Sequence, residues 1–256
     1  MFYINMDRSK DRRHFIERNV APDVPQLQRI PGVDGSKLDL AGKDARLASL
    51  ITRYNIKNDT RQTDFEIDRV GAVGCTLSHK AVWEAFLETG KDHAVVFEDD
   101  LYWSSKHKKQ LLNVLKRMPD EADIVLLGCN ALKTRGFDED GLWDTVLDFF
   151  QTHAYIITRE AVKKLLPEMI PVEVHMDAFL ARAVNVHDMI MIRPRHGVSF
   201  KQGWAKSTIN HGKLLELAET QEQETREVDR ALIGYVSALS VFGLLLLILM
   251  IKLRFY

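Results

Sequence analysis

Apolar runs of strand length alternate with helix-like runs along most of this chain, and that alternation restricts the fold more than any other feature. "MFYINM" at the N-terminus, "HAVVF" at 93–97, "DIVLLGC" at 123–129 and "THAYIIT" at 152–158 read as strands. "KDRRHFIERNV" reads as a helix that Ser9 could cap and that must end near Pro22. In "GAVGCTLSHKAVWEAFLETG", Leu77, Ala81, Val82, Ala85 and Phe86 share one helical face, and Gly90 supplies a stop. "KHKKQLLNVLKRM" and "REAVKKLLPEM" add two further helices. Strands alternating with helices predict an α/β domain with a mostly parallel sheet. The charged stretch 37–71 reads as a surface excursion with one helix from Asp44 to Tyr54.

A chain of 256 residues, 46% of them hydrophobic, can build one sizeable core, or a core with an appendage. Its formal net charge of -1 gives no basic excess and argues against a nucleic-acid binder. Cys75 and Cys129 are too few for a disulfide framework and read as buried free thiols. The appendage is C-terminal. Residues 231–251, "ALIGYVSALSVFGLLLLILMI", carry no charge and match the ~20 residues a membrane-spanning helix needs. A polar helical stalk, 210–230, precedes them and a short basic tail, 252–256, follows. The expected organisation is a catalytic domain over 1–209 and a single-pass C-terminal membrane anchor. The start, "FYINMDR", has no secretory signal pattern, so the catalytic domain is expected on the cytosolic side.

The strand at 93–97 runs directly into Glu98, Asp99 and Asp100. In an open α/β sheet, ligands bind outside the carboxyl ends of the strands. Adjacent carboxylates there suit a hard divalent cation, Mg²⁺ or Mn²⁺, shared with substrate phosphates; they equally suit a solvated turn. No "GxGxxG", "GxxxxGK[ST]" or "GxSxG" is present, which removes the dinucleotide, P-loop and nucleophile-elbow readings. A nucleotide diphosphate held through metal is the economical reading that is left.

Several blocks, in order, resemble one family. "YINMDRSKDRR", "RIPGVDGS", "GAVGCTLSHKAVWEAF" followed by "VVFEDDLYW", "THAYIITREAVKKLL", the Asp177 of "VEVHMDAFL" and "SFKQGWAKSTI" resemble the glycosyltransferases of family 25, across about Phe2 to Ile209. That group holds lipooligosaccharide and procollagen galactosyltransferases. The resemblance implies a GT-A fold and an inverting transfer of a hexose, galactose or glucose, from a UDP-sugar to a glycan, lipid-linked or protein acceptor. It implies Mn²⁺ or Mg²⁺ on Glu98 and Asp100, with His196 a further candidate ligand and His175 another. It places Asn5, Asp7, Arg12, Asp99 and Gln202 near the donor, with Ser207 in the same closing block as Gln202. Asp177 is either the base that takes the acceptor's proton or a helix-capping aspartate. Arg12 and Arg13 either reach phosphate or solvate a helix face, and His79 either bonds near the site or caps its helix. The competing readings are a catalytically inactive glycosyltransferase-like membrane protein that binds a partner or glycan, and a metal-dependent nucleotidyl- or phosphotransferase. "LRFY" at the C-terminus is not the retention tetrapeptide of the collagen-type relatives, so neither subgroup's acceptor carries over.

Overall fold

The computed structural model describes residues 1–24, 26–195 and 200. The expected stalk, membrane helix and tail, together with His196, Gln202 and Ser207, lie outside the described residues. Among the described residues, no helix is long and apolar enough to cross a membrane.

Six strands form one sheet: β1 (Phe2–Asn5), β2 (Gln28–Pro31), β3 (His93–Glu98), β4 (Ile124–Gly136), β5 (Trp143–Thr158) and β6 (Met191–Pro194), in the order β2-β1-β3-β5-β4-β6. β1 pairs in parallel with β2 and β3, and β4 with β6. The sheet is nevertheless mixed, not mostly parallel, because β5 runs antiparallel to β3, β4 and β6. The cause is local. β4 and β5 are joined by only the short segment 137–142, and a connection that short reverses the chain as a hairpin. This 124–158 hairpin carries several register shifts, and Gln151 within it has a left-handed φ of 73°.

Helices cover both faces, which explains the unbroken apolar runs in the strands. On one face, α3 (Val70–Leu87), α5 (Arg159–Leu165) and α6 (Met176–Val186) pack with Phe2, Val96, Leu126, Tyr155 and Ile157. On the other, Ile16 of α1 (Lys10–Asn19) and Leu111 of α4 (Ser105–Arg117) pack with Tyr3, Val95, Phe97 and Ile156. Neighbouring residues Val95 and Val96 go to opposite clusters, as the pleat requires.

Helix ends refine the expectations. Ser9 sits at the N-cap of α1 but its side chain makes no cap bond. The excursion holds a 3₁₀ turn at Ala45–Leu47 and then α2 (Leu50–Asn58), later than the expected 44–54, because Ser49 supplies the cap by accepting from Thr52 N. α3 is pressed onto the chain after β2. A Cβ on Gly74 would lie 2.6 Å from the Val33 carbonyl, and one on Gly35 would lie 2.2 Å from the Val70 carbonyl. Ser78 locks the contact, accepting from Val33 N at 2.8 Å and donating to the Gly74 carbonyl at 2.7 Å. That approach sets where the next residues of α3, Cys75 and His79, face.

Candidate active site

The parallel strands β1 and β3 end side by side, with Ile4 opposite Glu98. Three consecutive carboxylates coexist there because they are given different surroundings. Asp99 is turned to the N-terminal segment. It accepts from Arg12 Nη1 at 2.9 Å and from Asn5 Nδ2 at 2.6 Å, with both members of the Arg12–Asp99 pair largely buried. Burial pushes the Asp99 carboxyl above its ordinary range, and the Arg12 and Asn5 bonds oppose that. Glu98 is turned to α3 and β5. Thr152 Oγ1 donates to its Oε1 at 2.8 Å, and His79 Nε2 lies 3.4 Å from the same oxygen. Burial pushes Glu98 up, but the His79 and Thr152 contacts and the nearby histidines prevail, and it is held below its usual value. Asp100 is buried, at 7% exposure.

A second group of residues completes the cluster. Burial drives the Cys75 thiol well above its ordinary value, and the charges of Glu98, Asp177 and Asp100 add to the effect. Donor atoms of Cys75, His79 and Glu98 lie within 4.8 Å of one another. Asp177 is in the first turn of α6, with His175 and not Asp177 at the N-cap. Its Oδ2 accepts from Gln151 N at 3.0 Å and its Oδ1 from Ala178 N at 2.8 Å. The left-handed Gln151 is what aims that N–H, and backbone strain of this kind is commonly found at functional sites.

The remaining candidates fall into two sets. Asn5, at 1% exposure, spends its amide on protein groups: Nδ2 donates to the Ser9 carbonyl and Asp99, and Oδ1 accepts from Arg29 Nε at 3.0 Å. Arg29 also holds the exposed Asp7 at 2.5 Å, and this hydrogen bond pulls the Asp7 carboxyl below its ordinary value. Asn5, Arg12 and Asp99 are therefore one network beside the acidic turn, with Asp7 at its solvent edge. Arg13 pairs with Glu17 on an exposed turn of α1. His175 lies against the surface excursion, its backbone N–H bonded to the Phe65 carbonyl, and burial lowers the pKa of its imidazole.

Sequence reasoning passed over Cys75 as a site residue and gave no place to Thr152, Tyr155 or Trp83. The i, i+4 spacing of Cys75 and His79 on a helix facing the sheet was the available signal. Thr152 and Tyr155 lay inside a strand already read as core.

An oxygen-rich pair at a strand end, the partly exposed Glu98 and the buried Asp100, fits a hard divalent cation. The same arrangement presents a cluster of negative charge that a diphosphate could approach only with such a cation between them.

The family model described as glycosyltransferase family 25 (LPS biosynthesis protein) matches residues 1–180. Human procollagen galactosyltransferase 2 is 25% identical over 202 residues, covering 73% of this chain and 30% of the relative. A bovine protein named probable inactive glycosyltransferase 25 family member 3 is 26% identical over 186 residues, covering 68% and 30% respectively. The chain thus spans about 30% of the length of these curated relatives. A solved UDP-glucose pyrophosphorylase in complex with UDP-glucose aligns over 78% of this chain and 90% of its own, at 11% identity and a TM-score of 0.38, too low to bear on function.

Proposed function

This chain belongs to glycosyltransferase family 25, and from that premise we propose that it transfers a hexose, galactose or glucose, from a UDP-sugar with inversion. The acceptor is a glycan, a lipid-linked saccharide or a protein. The observation that carries the proposal is the acidic turn Glu98-Asp99-Asp100 at the carboxyl end of β3, beside the end of β1. The GT-A assignment rests on that placement and on the family.

In the proposed reaction the acceptor oxygen bonds to the anomeric carbon as the bond from that carbon to the phosphate oxygen breaks. The acceptor's hydroxyl proton passes to Asp177, and UDP departs. Mn²⁺ or Mg²⁺ on Glu98 and Asp100, with His196 as a proposed third ligand, would supply the positive charge that stabilises the departing diphosphate. The N–H groups of Gln151 and Ala178 fix the Asp177 carboxylate in one orientation. Arg12 and Asn5 hold Asp99, and through it the acidic turn. Residues 231–251 are proposed to anchor the chain in a membrane.

Measured release of UDP from UDP-galactose and UDP-glucose, with Mn²⁺, with Mg²⁺ and with excess EDTA, tests the proposal. Metal-dependent release from one donor supports it. No release from either donor, with any acceptor class, would favour the catalytically inactive reading.

A further inference from the structure

Trp83, Tyr155 and His79 are wholly buried, on α3 and β5, and their polar atoms form a line that ends at Glu98. Trp83 Nε1 lies 3.0 Å from the Tyr155 hydroxyl, the hydroxyl lies 2.9 Å from His79 Nδ1, and His79 Nε2 lies 3.4 Å from Glu98 Oε1. The direction of this line follows from its first member. An indole N–H can only donate, so the Tyr155 oxygen accepts from Trp83. With the imidazole neutral, the tyrosine's own proton is directed at His79 Nδ1, which accepts it. The imidazole proton is left on Nε2, facing the carboxylate. The opposite tautomer would set a nitrogen lone pair against Glu98 Oε1, and would leave the buried tyrosine proton without this acceptor.

We propose that His79 is a positioning residue for Glu98, its tautomer set by Trp83 through Tyr155. Thr152 Oγ1, donating at 2.8 Å, and His79 Nε2, at 3.4 Å, flank Oε1 and leave Oε2 to the divalent cation. Trp83, Tyr155 and His79 have no solvent exposure, so the links among these three are shielded from bulk water. Carboxylate ligands held by outer hydrogen bonds bind metal more tightly than unsupported ones, typically by about 10–100-fold on removal of the support. Cys75 and His79 also lie close to Glu98, but burial, with the charges of the carboxylates, pushes the Cys75 thiol well above its ordinary value and disfavours the thiolate that a softer cation would take.

The inference rests on the reading of Glu98 as a cation ligand, and its test separates the two. Mn²⁺ binding to the full chain is measured from the loss of the free-ion electron paramagnetic resonance signal, with circular dichroism and urea midpoints recorded alongside. His79→Leu is expected to weaken binding by about 10–100-fold. His79→Gln, whose terminal amide can donate in place of Nε2–H, should recover most of it. Tyr155→Phe removes only the hydroxyl, and should weaken Mn²⁺ binding in the same direction as His79→Leu. A folded His79→Leu protein with wild-type Mn²⁺ affinity overturns the proposal. Should that variant not fold, wild-type affinity in Tyr155→Phe overturns it equally. Glu98→Ala distinguishes the premise. If it binds Mn²⁺ as tightly as the unaltered protein, or if the unaltered protein binds none, the Glu98 reading fails and the proposal with it. If Glu98→Ala loses binding while His79→Leu and Tyr155→Phe keep it, only the positioning role fails.

Discussion

Replacing Arg12 with methionine should destabilise the domain by about 2–3 kcal/mol at neutral pH, and by much less in acid. Arg12 and Asp99 retain 16% and 11% of their side-chain exposure, so the pair is mostly shielded from solvent. Removing one partner from a buried pair typically costs about 3–5 kcal/mol, because the other charge is stranded. The lower figure applies here because Asn5 still donates to Asp99 and some water reaches the site. Methionine keeps most of the volume, so packing loss is small. The pH dependence follows from Asp99. Burial already raises its pKa above the ordinary 3.8 in the folded protein, so the folded state holds this proton more strongly than the unfolded chain does. Its contribution to stability is therefore largest in acid and falls as pH rises from 3.8 through the raised folded value. Without Arg12 the folded value rises further, and the window extends upward. Urea unfolding at about pH 4 and about pH 7 measures both quantities. The deficit of Arg12→Met should grow between the two, and Asp99→Asn in the same chain should restore much of it by removing the stranded charge. A deficit equal at both pH values, or one below about 0.5 kcal/mol at neutrality, would refute the argument, since that is how a screened surface pair behaves.

Three other outcomes are expected. Glu98→Ala and Asp100→Ala should each lower UDP-sugar turnover by orders of magnitude while circular dichroism still reports a folded domain, because charge stabilisation of a leaving group is commonly a large part of catalysis; full turnover in excess EDTA would remove the metal from the reaction. Asp177→Asn should keep UDP-sugar binding and lose transfer to acceptor, whereas normal transfer would leave Asp177 as a residue that only holds Gln151 and the start of α6. In sealed vesicles, added protease should digest the catalytic unit, and Asn58 of the sequon Asn58-Asp59-Thr60 should stay unmodified; Asn58 is exposed at the end of α2, so a glycan there with a protected domain would reverse the proposed orientation.

Sequence by itself determined the parts that depend on near neighbours. β1, β3 and the helices α1, α3, α4 and α5 were legible because strand runs and helical faces repeat over a few residues. The acidic turn was legible because its three members are adjacent, and Asp177 because its block resembles the family's. Only the tertiary structure decided what each of these groups does. Asp99 is answered by Arg12, 87 positions away, and Glu98 by Thr152, 54 positions away. His79 meets Tyr155 across 76 positions. No local pattern encodes such partners, since they depend on which strands pair and in which register. The 124–158 hairpin is the clearest case. The short turn at its tip reverses β5, and that reversal sets Tyr155 opposite Val96 and brings Thr152 to Glu98. The alternation of side chains along a strand told which residues could be buried; the sheet's mixed topology determined that a threonine inside an apolar run would meet a carboxylate and a tyrosine would meet His79.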